Sequence, residues 1–556
     1  MLLLCAADRS GDIHHCTYSE KTFWPEMASV NPSLLLLALL VCGLHCIHSG
    51  QVLVNPGEYS HWQNMRVIVE ELVERNHSVT VLVNTASPTV NLTRQERFRF
   101  HLFNVPLQKE NMTALWDDFV DLWKYQMNGT GWQVLSKTSD LMASFNSYIS
   151  VICKALVGNK TLVEDLRRSR YEVILTDPFT PCGDLMADAL DVPFIITMRI
   201  TFGFIYERMC GQMPTLPSFV PCTPILATDQ MNFRERLVNF GSYFMHSAMF
   251  LLHTSKYLSS VYSEIKGKPT SVCEMVGKAD LWFIRSHWVW EYPRPFPPNF
   301  IFIGGHHCKP AKPLPLDLEE FVQSSGDDGI VVFTFGSMFK NLTEERRNMF
   351  VSALGQIPQK VVWGFGGERP RTLPANIRIY NWIPQKDLLG HPKTKAFISH
   401  GGSNGLYEAI YHGVPLLGVP LFADQPDNIF ILEKKGAAIM LDFYNMNSDD
   451  LVKGLRAVIN DPSYKENMMR LSRLHHDQPM KPLDRAVFWT EFVMRNKGAK
   501  HLRVQAHNLS WVQYYCLDVV LFLFSVAGLF GWLTFKSCRL CIRACCQKSH
   551  RKRKAE

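Results

Sequence analysis

The sequence predicts an α/β protein in which two doubly wound, Rossmann-like domains face each other across a cleft, followed by one C-terminal transmembrane helix. Three observations support this fold class. Strand–helix–strand units recur in both halves, a proline-rich stretch separates the halves, and an apolar run with a basic tail ends the chain. A chain of 556 residues is also too long for one ordinary hydrophobic core, so two large domains are expected.

The first half contains two strand–helix patterns. Residues 51–55 are rich in β-forming side chains, residues 62–73 place apolar side chains on one helix face, and residues 78–83 predict the next strand. A strand, a helix and a strand in so short a stretch form a βαβ unit, and therefore a parallel sheet. Residues 171–176 predict a further strand, and residues 182–190 predict the helix after it.

Seven prolines between residues 292 and 315 mark the connection between the two domains. We therefore assign residues 50–308 to an N-terminal domain and residues 309–505 to a C-terminal domain. The second domain shows the same alternation of strands and helices. Its predicted strands are residues 330–335, 361–363, 377–380, 395–399 and 415–419.

The C-terminal segment predicts a membrane anchor. An apolar run over residues 519–535 would span about 25 Å as a helix, slightly less than the hydrocarbon core of a bilayer. Aromatic side chains, which favour the membrane interface, precede it at Trp511, Tyr514 and Tyr515. We predict a transmembrane helix over residues 512–535. The positive-inside rule places the basic tail, residues 536–556, in the cytosol.

The tail also accounts for the net charge. Its eight lysines and arginines against one glutamate give +7, which equals the formal charge of the whole chain. The remaining residues are therefore neutral overall, and no basic face for nucleic acid is expected. Lys552 and Lys554 in this tail resemble the dilysine retrieval signal of endoplasmic reticulum membrane proteins.

The N-terminus predicts the same orientation. Residues 1–49 form a signal-peptide region with an apolar centre at residues 34–41, and a start at Met27 would give an ordinary signal length. The chain between signal and anchor is then lumenal, as a single-pass type I protein, and its sequons are open to glycosylation. The sequons are at Asn76, Asn91, Asn111, Asn128, Asn159, Asn341 and Asn508.

The densest pattern of functional residue types lies within residues 382–425. There the predicted strand 395–399 ends in the sequence HGGSNG, which opens a helix. Glycines let a backbone approach a ligand, and a helix N-terminus offers amide donors to phosphate. The residues alone leave two alternatives, because a glycine-rich turn between a strand and a helix is often only a tight connection.

Polar side chains surround this turn. His400 and Asn404 add donors beside the helix start, and Glu408, one turn further on the same face, can accept hydrogen bonds from a sugar diol. Asp424 and Gln425 follow the next strand at its carboxyl end, where open α/β sheets bind ligands. The pattern therefore favours a phosphate-bearing ligand.

The whole segment 382–425 resembles the signature of the UDP-glycosyltransferase superfamily almost position for position. Residues 476–503 resemble the vertebrate UDP-glucuronosyltransferase branch, and the resemblance extends from residue 51 to the tail. It implies the two-domain GT-B fold, with an N-terminal acceptor-binding domain and a C-terminal UDP-sugar-binding domain. It also implies transfer of glucuronic acid from UDP-glucuronate, with inversion, to a hydroxyl or another nucleophile of small lipophilic acceptors.

The resemblance assigns a donor-binding role to nine residues. It implies that Trp382 stacks on uracil and that Gln385 and Glu408 contact the ribose. The residues implied for the diphosphate are His400, Asn404, Gly405 and Ser337, and those implied for the sugar are Asp424 and Gln425.

The resemblance also places the catalytic base at His61 and its partner at Asp177. His61 lies at the start of the first predicted helix, where the helix dipole disfavours an imidazolium and keeps the ring able to take a proton. Asp177 ends its own strand, where a carboxylate could hold the histidine tautomer. Without the resemblance, a helix-capping histidine and a turn-forming aspartate explain the same residues.

No Asp-x-Asp motif occurs, so a metal-bridged diphosphate is not expected, and the UDP-sugar is a co-substrate in a reaction without cofactor. The expected partners are the UDP-sugar, a lipophilic acceptor, the endoplasmic reticulum membrane and, as an oligomer, another copy or a related transferase. The acceptor depends on residues 85–250, where no motif identifies it.

Three alternatives remain at this stage. UDP-glucose or another UDP-sugar could replace UDP-glucuronate as donor, because Asp424 and Gln425 suit sugar hydroxyls generally. A hydrolysing UDP-sugar epimerase shares the two-domain fold, but it needs no signal peptide, anchor or strand-end pair of His61 and Asp177. A non-catalytic UDP-sugar-binding membrane protein would not need that pair either.

Overall fold

The computed structural model describes residues 49–90, 95–128, 131–180, 182–199, 206–223, 225–336 and 342–553, without the side chains of 123–128, 131–132, 134–135, 253–254 and 548–553. The predicted centre of the signal peptide, the sequons Asn91 and Asn341, the phosphate contact Ser337 and Lys554 of the tail lie outside the described residues. Two fully parallel sheets, of seven and six strands, confirm the doubly wound α/β fold class.

The first sheet has the strand order β3-β2-β1-β4-β5-β6-β7, which changes direction between β1 and β4. Its strands are β1 (Gln51–Asn55), β2 (Ser78–Asn84), β3 (Arg99–Phe103), β4 (Val173–Thr176), β5 (Phe194–Met198), β6 (Leu281–Ile284) and β7 (Phe300–Phe302). The helices that follow in this half are α1 (Ser60–Glu74), α2 (Lys109–Asn128), α3 (Gly131–Val157), α4 (Lys160–Arg168), α5 (Gly183–Leu190), α6 (Tyr206–Met209), α7 (Phe233–Met249), α8 (Lys256–Lys266) and α9 (Val272–Val276).

The second sheet has the order β10-β9-β8-β11-β12-β13 and changes direction between β8 and β11. Its strands are β8 (Ile330–Thr334), β9 (Lys360–Gly364), β10 (Ile377–Tyr380), β11 (Thr394–Ser399), β12 (Leu416–Gly418) and β13 (Ala438–Met440). The helices of this half are α10 (Leu316–Gln323), α11 (Glu344–Leu354), α12 (Gln385–Leu389), α13 (Ser403–His412), α14 (Gln425–Lys434), α15 (Ser448–Asn460), α16 (Pro462–His476) and α17 (Pro482–Asn496).

Helices cover both faces of each sheet, and each face has its own hydrophobic core. The central strands β4 and β8 are buried along their whole length. Strands buried on both faces need apolar side chains at nearly every position, which explains the uninterrupted apolar runs in the sequence. In these two central strands the polar residue is the last one, Thr176 in β4 and Thr334 in β8.

The last helix of the second half, α17, returns to the first sheet. Its buried side chains Val487, Val493 and Met494 join the core formed by β1 and α1. Asp484 on the same helix pairs with Arg75 at the end of α1. The sequence assigned this helix to the range 309–505 of the C-terminal domain, and the structure packs it on the N-terminal one. The other domain limits stay a prediction.

One helix in the described part of the chain is long and apolar enough to cross a membrane. The helix α19 (Leu517–Arg553) follows the short helix α18 (Trp511–Tyr514), and its apolar portion extends over Leu517–Gln547 with its side chains exposed. The helix α19 contains most of the predicted range 512–535 and continues into the basic tail. The limits of the transmembrane segment stay a prediction.

The packing of α17 on the first sheet predicts that its buried side chains stabilise the protein. Met494 is almost fully buried in the first core, whereas Met480, just before α17, is exposed. Met494→Ala leaves a cavity and should cost about 2–5 kcal/mol of stability. We expect a lower midpoint of thermal unfolding for Met494→Ala and no measurable change for Met480→Ala. Equal midpoints for the two variants would show that α17 does not stabilise the first domain.

Candidate active site

The carboxyl ends of four neighbouring strands in the first sheet carry polar side chains that meet in one place. His61 follows β1 on the first turn of α1, and Asp177, Arg199 and Arg285 directly follow β4, β5 and β6. Because all four strands are parallel, their carboxyl ends lie on one edge, and the crevice opens where the strand order reverses between β1 and β4. His61 and Asp177 stand on the two sides of that reversal.

The structure joins His61 and Asp177 by a hydrogen bond. The Nδ1 atom of His61 lies 2.7 Å from Oδ2 of Asp177, and Oδ1 of the same carboxylate accepts from the backbone N–H of Phe179 at 2.9 Å. Asp177 is completely buried. A buried carboxylate that accepts from Nδ1–H fixes the tautomer of the ring and leaves the Nε2 lone pair as the basic site.

Burial keeps His61 neutral, and the neighbours of Asp177 keep its carboxylate ionised. Burial lowers the pKa of His61, and the attraction of Asp177 opposes this only in part. Burial alone would raise the pKa of Asp177, but His61, Arg285 and the Phe179 amide outweigh it and hold the pKa below its usual value. Burial also lowers the pKa of Arg285, to about 10, so this arginine stays cationic and balances the buried carboxylate.

In the second sheet, His400 directly follows β11 and begins the glycine-rich turn into α13. Its ring packs so closely on the backbone that a Cβ at Gly336 would lie 2.8 Å from its Cε1 and one at Gly402 would lie 2.6 Å from its Nε2. Burial, with a smaller effect of Arg199, lowers the pKa of His400 to about 4. The buried Nδ1 of this neutral ring has no hydrogen-bond partner among the described residues.

The two residues predicted for the ribose are in contact, although they lie on different helices: Glu408 is on α13 and Gln385 begins α12. Gln385 donates from Nε2 to Oε2 of Glu408 at 2.6 Å, and a Cβ at Gly405 would lie 3.3 Å from the same Nε2. Burial raises the pKa of Glu408 to about 7, so its charge is weakly stabilised without a further donor. Trp382 presents an indole that is 74% exposed.

Asp424 and Gln425, at the start of α14, have different hydrogen-bond partners within the protein. Oδ2 of Asp424 accepts from Asn428 at 2.6 Å, and its Oδ1 faces Nη1 of Arg199 at 3.3 Å. Oε1 of Gln425 accepts from the backbone N–H groups of Leu421 and Phe422 at 2.9 and 3.0 Å. The carbonyl of Gln425 thus holds its own loop, which leaves its amide N–H groups for a ligand.

Hydrogen bonds connect the helix α1, which carries His61, directly to the helix α13, which follows the glycine-rich turn. Nδ2 of Asn64 donates to Oδ1 of Asn404 at 2.8 Å. Nε2 of His306 donates to the backbone oxygen of Asn64 at 3.1 Å, and Nε2 of His307 donates to that of Asn404 at 3.2 Å. Adjacent histidines of the connection between the domains therefore hold one helix from each half.

The sequence analysis did not identify Arg199, Arg285 or Asn64. A signal for the two arginines was present, because each follows a buried strand directly, as Asp177 does. Asn64 gave no such signal, since an amide on a helix is common and only the packing of α1 against α13 gives it a partner. The described residues contain no group of three or more histidine, cysteine or acidic side chains arranged for a metal, and the metal-independent reaction stays a prediction.

Solved glycosyltransferases share this fold. The calicheamicin glycosyltransferase CalG4 matches with a TM-score of 0.54 and 18% identity over 81% of this chain and 99% of its own. The glycosyltransferase VinC in complex with dTDP matches with a TM-score of 0.52 and 18% identity over 80% of this chain and 100% of its own. The two sheets of this chain therefore have the GT-B fold of these glycosyltransferases.

The particular family follows from the sequence comparisons. The family model of UDP-glucoronosyl and UDP-glucosyl transferases matches residues 50–552. UDP-glucuronosyltransferase 2B15 of Homo sapiens is 49% identical over 94% of this chain and 99% of its own length. UDP-glucuronosyltransferase 2B1 of Rattus norvegicus is 50% identical over 93% of this chain and 98% of its own length. The chain belongs to this family of UDP-sugar transferases, and it binds a UDP-sugar donor.

The raised pKa of Glu408 predicts a pH-dependent stability. Below about pH 7 the folded protein holds Glu408 neutral, whereas the unfolded chain ionises it above the ordinary value of 4.5. Between these values the folded state binds more protons, so Glu408 lowers stability as the pH rises. Glu408→Gln removes this effect. We expect the variant to become more stable than the unsubstituted protein as the pH rises, by up to about 3 kcal/mol.

Thermal unfolding of the donor-free protein at pH 5 and pH 8 measures this difference. The gap between Glu408→Gln and the unsubstituted protein should widen at pH 8. Glu466→Gln, at an exposed position, is the matched control and should give the same small gap at both pH values. A Glu408→Gln gap that does not change with pH would contradict the raised pKa.

Proposed function

We propose that this chain transfers glucuronic acid from UDP-glucuronate to a hydroxyl, or another nucleophile, of small lipophilic acceptors, with inversion at the anomeric carbon. The observation that carries the proposal is the pair of His61 and Asp177 on one wall of the cleft, joined through Asn64 and Asn404 to the glycine-rich turn on the other. The UDP-glucuronosyltransferases among the relatives support the acidic donor. UDP-glucose is the alternative donor.

In this reaction His61 is the general base. Its Nε2 accepts the proton of the acceptor hydroxyl while the acceptor oxygen attacks the anomeric carbon. Asp177 holds the tautomer before the transfer and stabilises the imidazolium after it, and this supports its role as the orienting partner. A single displacement from an α-linked donor gives a β-linked product.

UDP is the leaving group, and α13 receives it. The bond from the anomeric carbon to the β-phosphate oxygen breaks, and the added charge is stabilised by the helix N-terminus with His400, Asn404 and Gly405. The unpartnered Nδ1 of His400 supports this assignment, because a neutral ring can donate to a phosphate oxygen. Glu408 with Gln385 would hold the ribose, and the exposed indole of Trp382 would be covered by uracil.

A cavity beside the base supports a lipophilic, often aromatic, acceptor. Phe179 packs edge-on against the His61 ring, with 5.4 Å between ring centroids. The same phenylalanine lines a cavity together with side chains of α2 and α3. These apolar lining residues are Met112, Trp116, Phe145 and Tyr148. Such a wall would bind a planar apolar molecule and hold its hydroxyl near Nε2 of His61.

We further propose that the protein is anchored in the endoplasmic reticulum membrane with its catalytic domains in the lumen. The helix over Leu517–Gln547 and the basic tail support the anchor and its orientation. The disulfides Cys153–Cys182 and Cys210–Cys273 fit an oxidising compartment. The sequon residues Asn76, Asn111 and Asn508 are exposed, as lumenal glycosylation requires.

The base predicts a selective loss of transfer. His61→Ala should lower turnover with a simple phenol at least about 100-fold, because it removes the proton acceptor. UDP affinity, measured by calorimetry, should stay nearly unchanged, since the diphosphate site lies on the other sheet. His501→Ala, at an exposed histidine, should keep full activity. Near-normal turnover of a folded His61→Ala protein would refute the assignment.

The two lysines Lys552 and Lys554 predict a retrieval signal that can be removed without changing the membrane topology. Changing Lys552 and Lys554 to serine leaves six of the eight basic tail residues, enough to maintain orientation. We expect the variant to keep its topology but to acquire Golgi-type processing of its lumenal glycans. Changing Lys548 and Arg551 to serine removes the same charge and should leave the glycans unprocessed. If the first variant stays fully sensitive to endoglycosidase H, the dilysine assignment is wrong.

A further inference from the structure

Arg199 reaches from the first domain into the donor site of the second. It directly follows β5, its Nε donates to Oγ of Ser403 at 3.2 Å, and its Nη1 lies 3.3 Å from Oδ1 of Asp424. Ser403 begins the helix α13, and Asp424 is the residue assigned to the donor sugar. One guanidinium therefore touches both the diphosphate end and the sugar end of the donor site.

Arg199 borders the space that the sugar must occupy. The sugar has to lie between the base at His61 and the leaving phosphate at His400, since the displacement is in line. The charge of Arg199 acts on both of these rings, lowering the pKa of each. Arg199 is thus beside the line that joins the base to the diphosphate site.

Glucuronate differs from glucose only at C6, where a carboxylate replaces a hydroxymethyl group. Residues that bind sugar hydroxyls, such as Asp424, cannot favour glucuronate over glucose. The negative charge of Asp424 would instead repel the sugar carboxylate. Discrimination requires a cation close to C6, and a guanidinium matches a carboxylate with two parallel hydrogen bonds. Among the described residues, two arginines, Arg199 and Arg285, lie at this end of the cleft.

The contacts of these two arginines separate their roles. Arg285 is buried, its Nε donates to the backbone oxygen of Met198, and its Nη2 lies 3.4 Å from Nδ1 of His61. It belongs to the catalytic pair and balances Asp177. The side chain of Arg199 is 19% exposed, and its bonds are to the donor domain. No described residue hydrogen-bonds its Nη2.

We propose that Arg199 is the residue that selects an acidic donor sugar, by pairing with the C6 carboxylate of the hexuronate. In the donor-free cleft its charge is neutralised by Asp424. When the donor binds, the sugar hydroxyls bond to Asp424, and the sugar carboxylate pairs with the guanidinium through Nη2 while Nη1 stays with Asp424. This inference rests on the proposed function, because it names the residue that gives the glucuronate preference.

Donor selectivity tests the proposal. The full chain in microsomes is offered UDP-glucuronate, UDP-glucose and UDP-xylose, which has no C6, with a simple phenol as acceptor. Arg199→Gln should lower kcat/KM for UDP-glucuronate about 10- to 100-fold, the loss typical of a charge-assisted hydrogen bond. The values for the other two donors should change less than about threefold. Arg199→Lys should restore part of the loss, since it keeps the charge without the fork.

Arg234→Gln, which removes an exposed arginine at the start of α7, controls for the loss of one positive charge and should leave all three values unchanged. UDP affinity should change less than about threefold in every variant, because UDP lacks the transferred sugar and its C6 carboxylate. An equal loss of kcat/KM for all three donors would overturn the proposal, because Arg199 would then only hold Asp424 in place. An unchanged preference for UDP-glucuronate in Arg199→Gln would also overturn it. An unsubstituted protein that prefers UDP-glucose would instead contradict the proposed function.

Discussion

The parallel direction of the strands is the constraint on which the rest of the structure depends. In a parallel sheet every strand ends on the same edge, so residues far apart in the chain meet there. His61, Asp177, Arg199 and Arg285 are brought together in this way by four strands of the first sheet. The second sheet does the same for the turn at His400 and for Asp424. Placing these two edges opposite each other produces the reaction site.

Charge balance in the cleft follows from this arrangement. The buried carboxylates Asp177 and Asp424 each face an arginine, Arg285 and Arg199 respectively. A buried unpaired charge would cost far more than a paired one, so each carboxylate needs its cation. The histidines on both sides are held neutral by burial. The cleft therefore has a neutral imidazole on each side, His61 on one and His400 on the other, and each buried carboxylate between them faces an arginine.

The buried Glu408 does not stabilise the donor-free protein. Glu408 is buried with Gln385 as its side-chain hydrogen-bond donor, and its pKa is raised to about 7. An apolar or amide side chain would be more stable at that position, but it could not accept from a diol in the same way. The contacts between α1 and α13 and the return of α17 to the first sheet stabilise the two-domain arrangement that keeps such residues in place.

The sequence by itself determined eight of the thirteen strands, the two parallel domains, the C-terminal apolar helix and the family, because apolar periodicity and the segment 382–425 are local signals. The strands β3, β5, β6, β7 and β13 were not predicted. The resemblance named His61 and Asp177 as partners, but their hydrogen bond depends on the fold, which joins residues 116 positions apart. The contacts of Arg199 with Ser403 and Asp424, and of Asn64 with Asn404, cross between the sheets. Only the tertiary structure decides these contacts, because a local sequence pattern contains no information about which side chain of the other domain lies opposite.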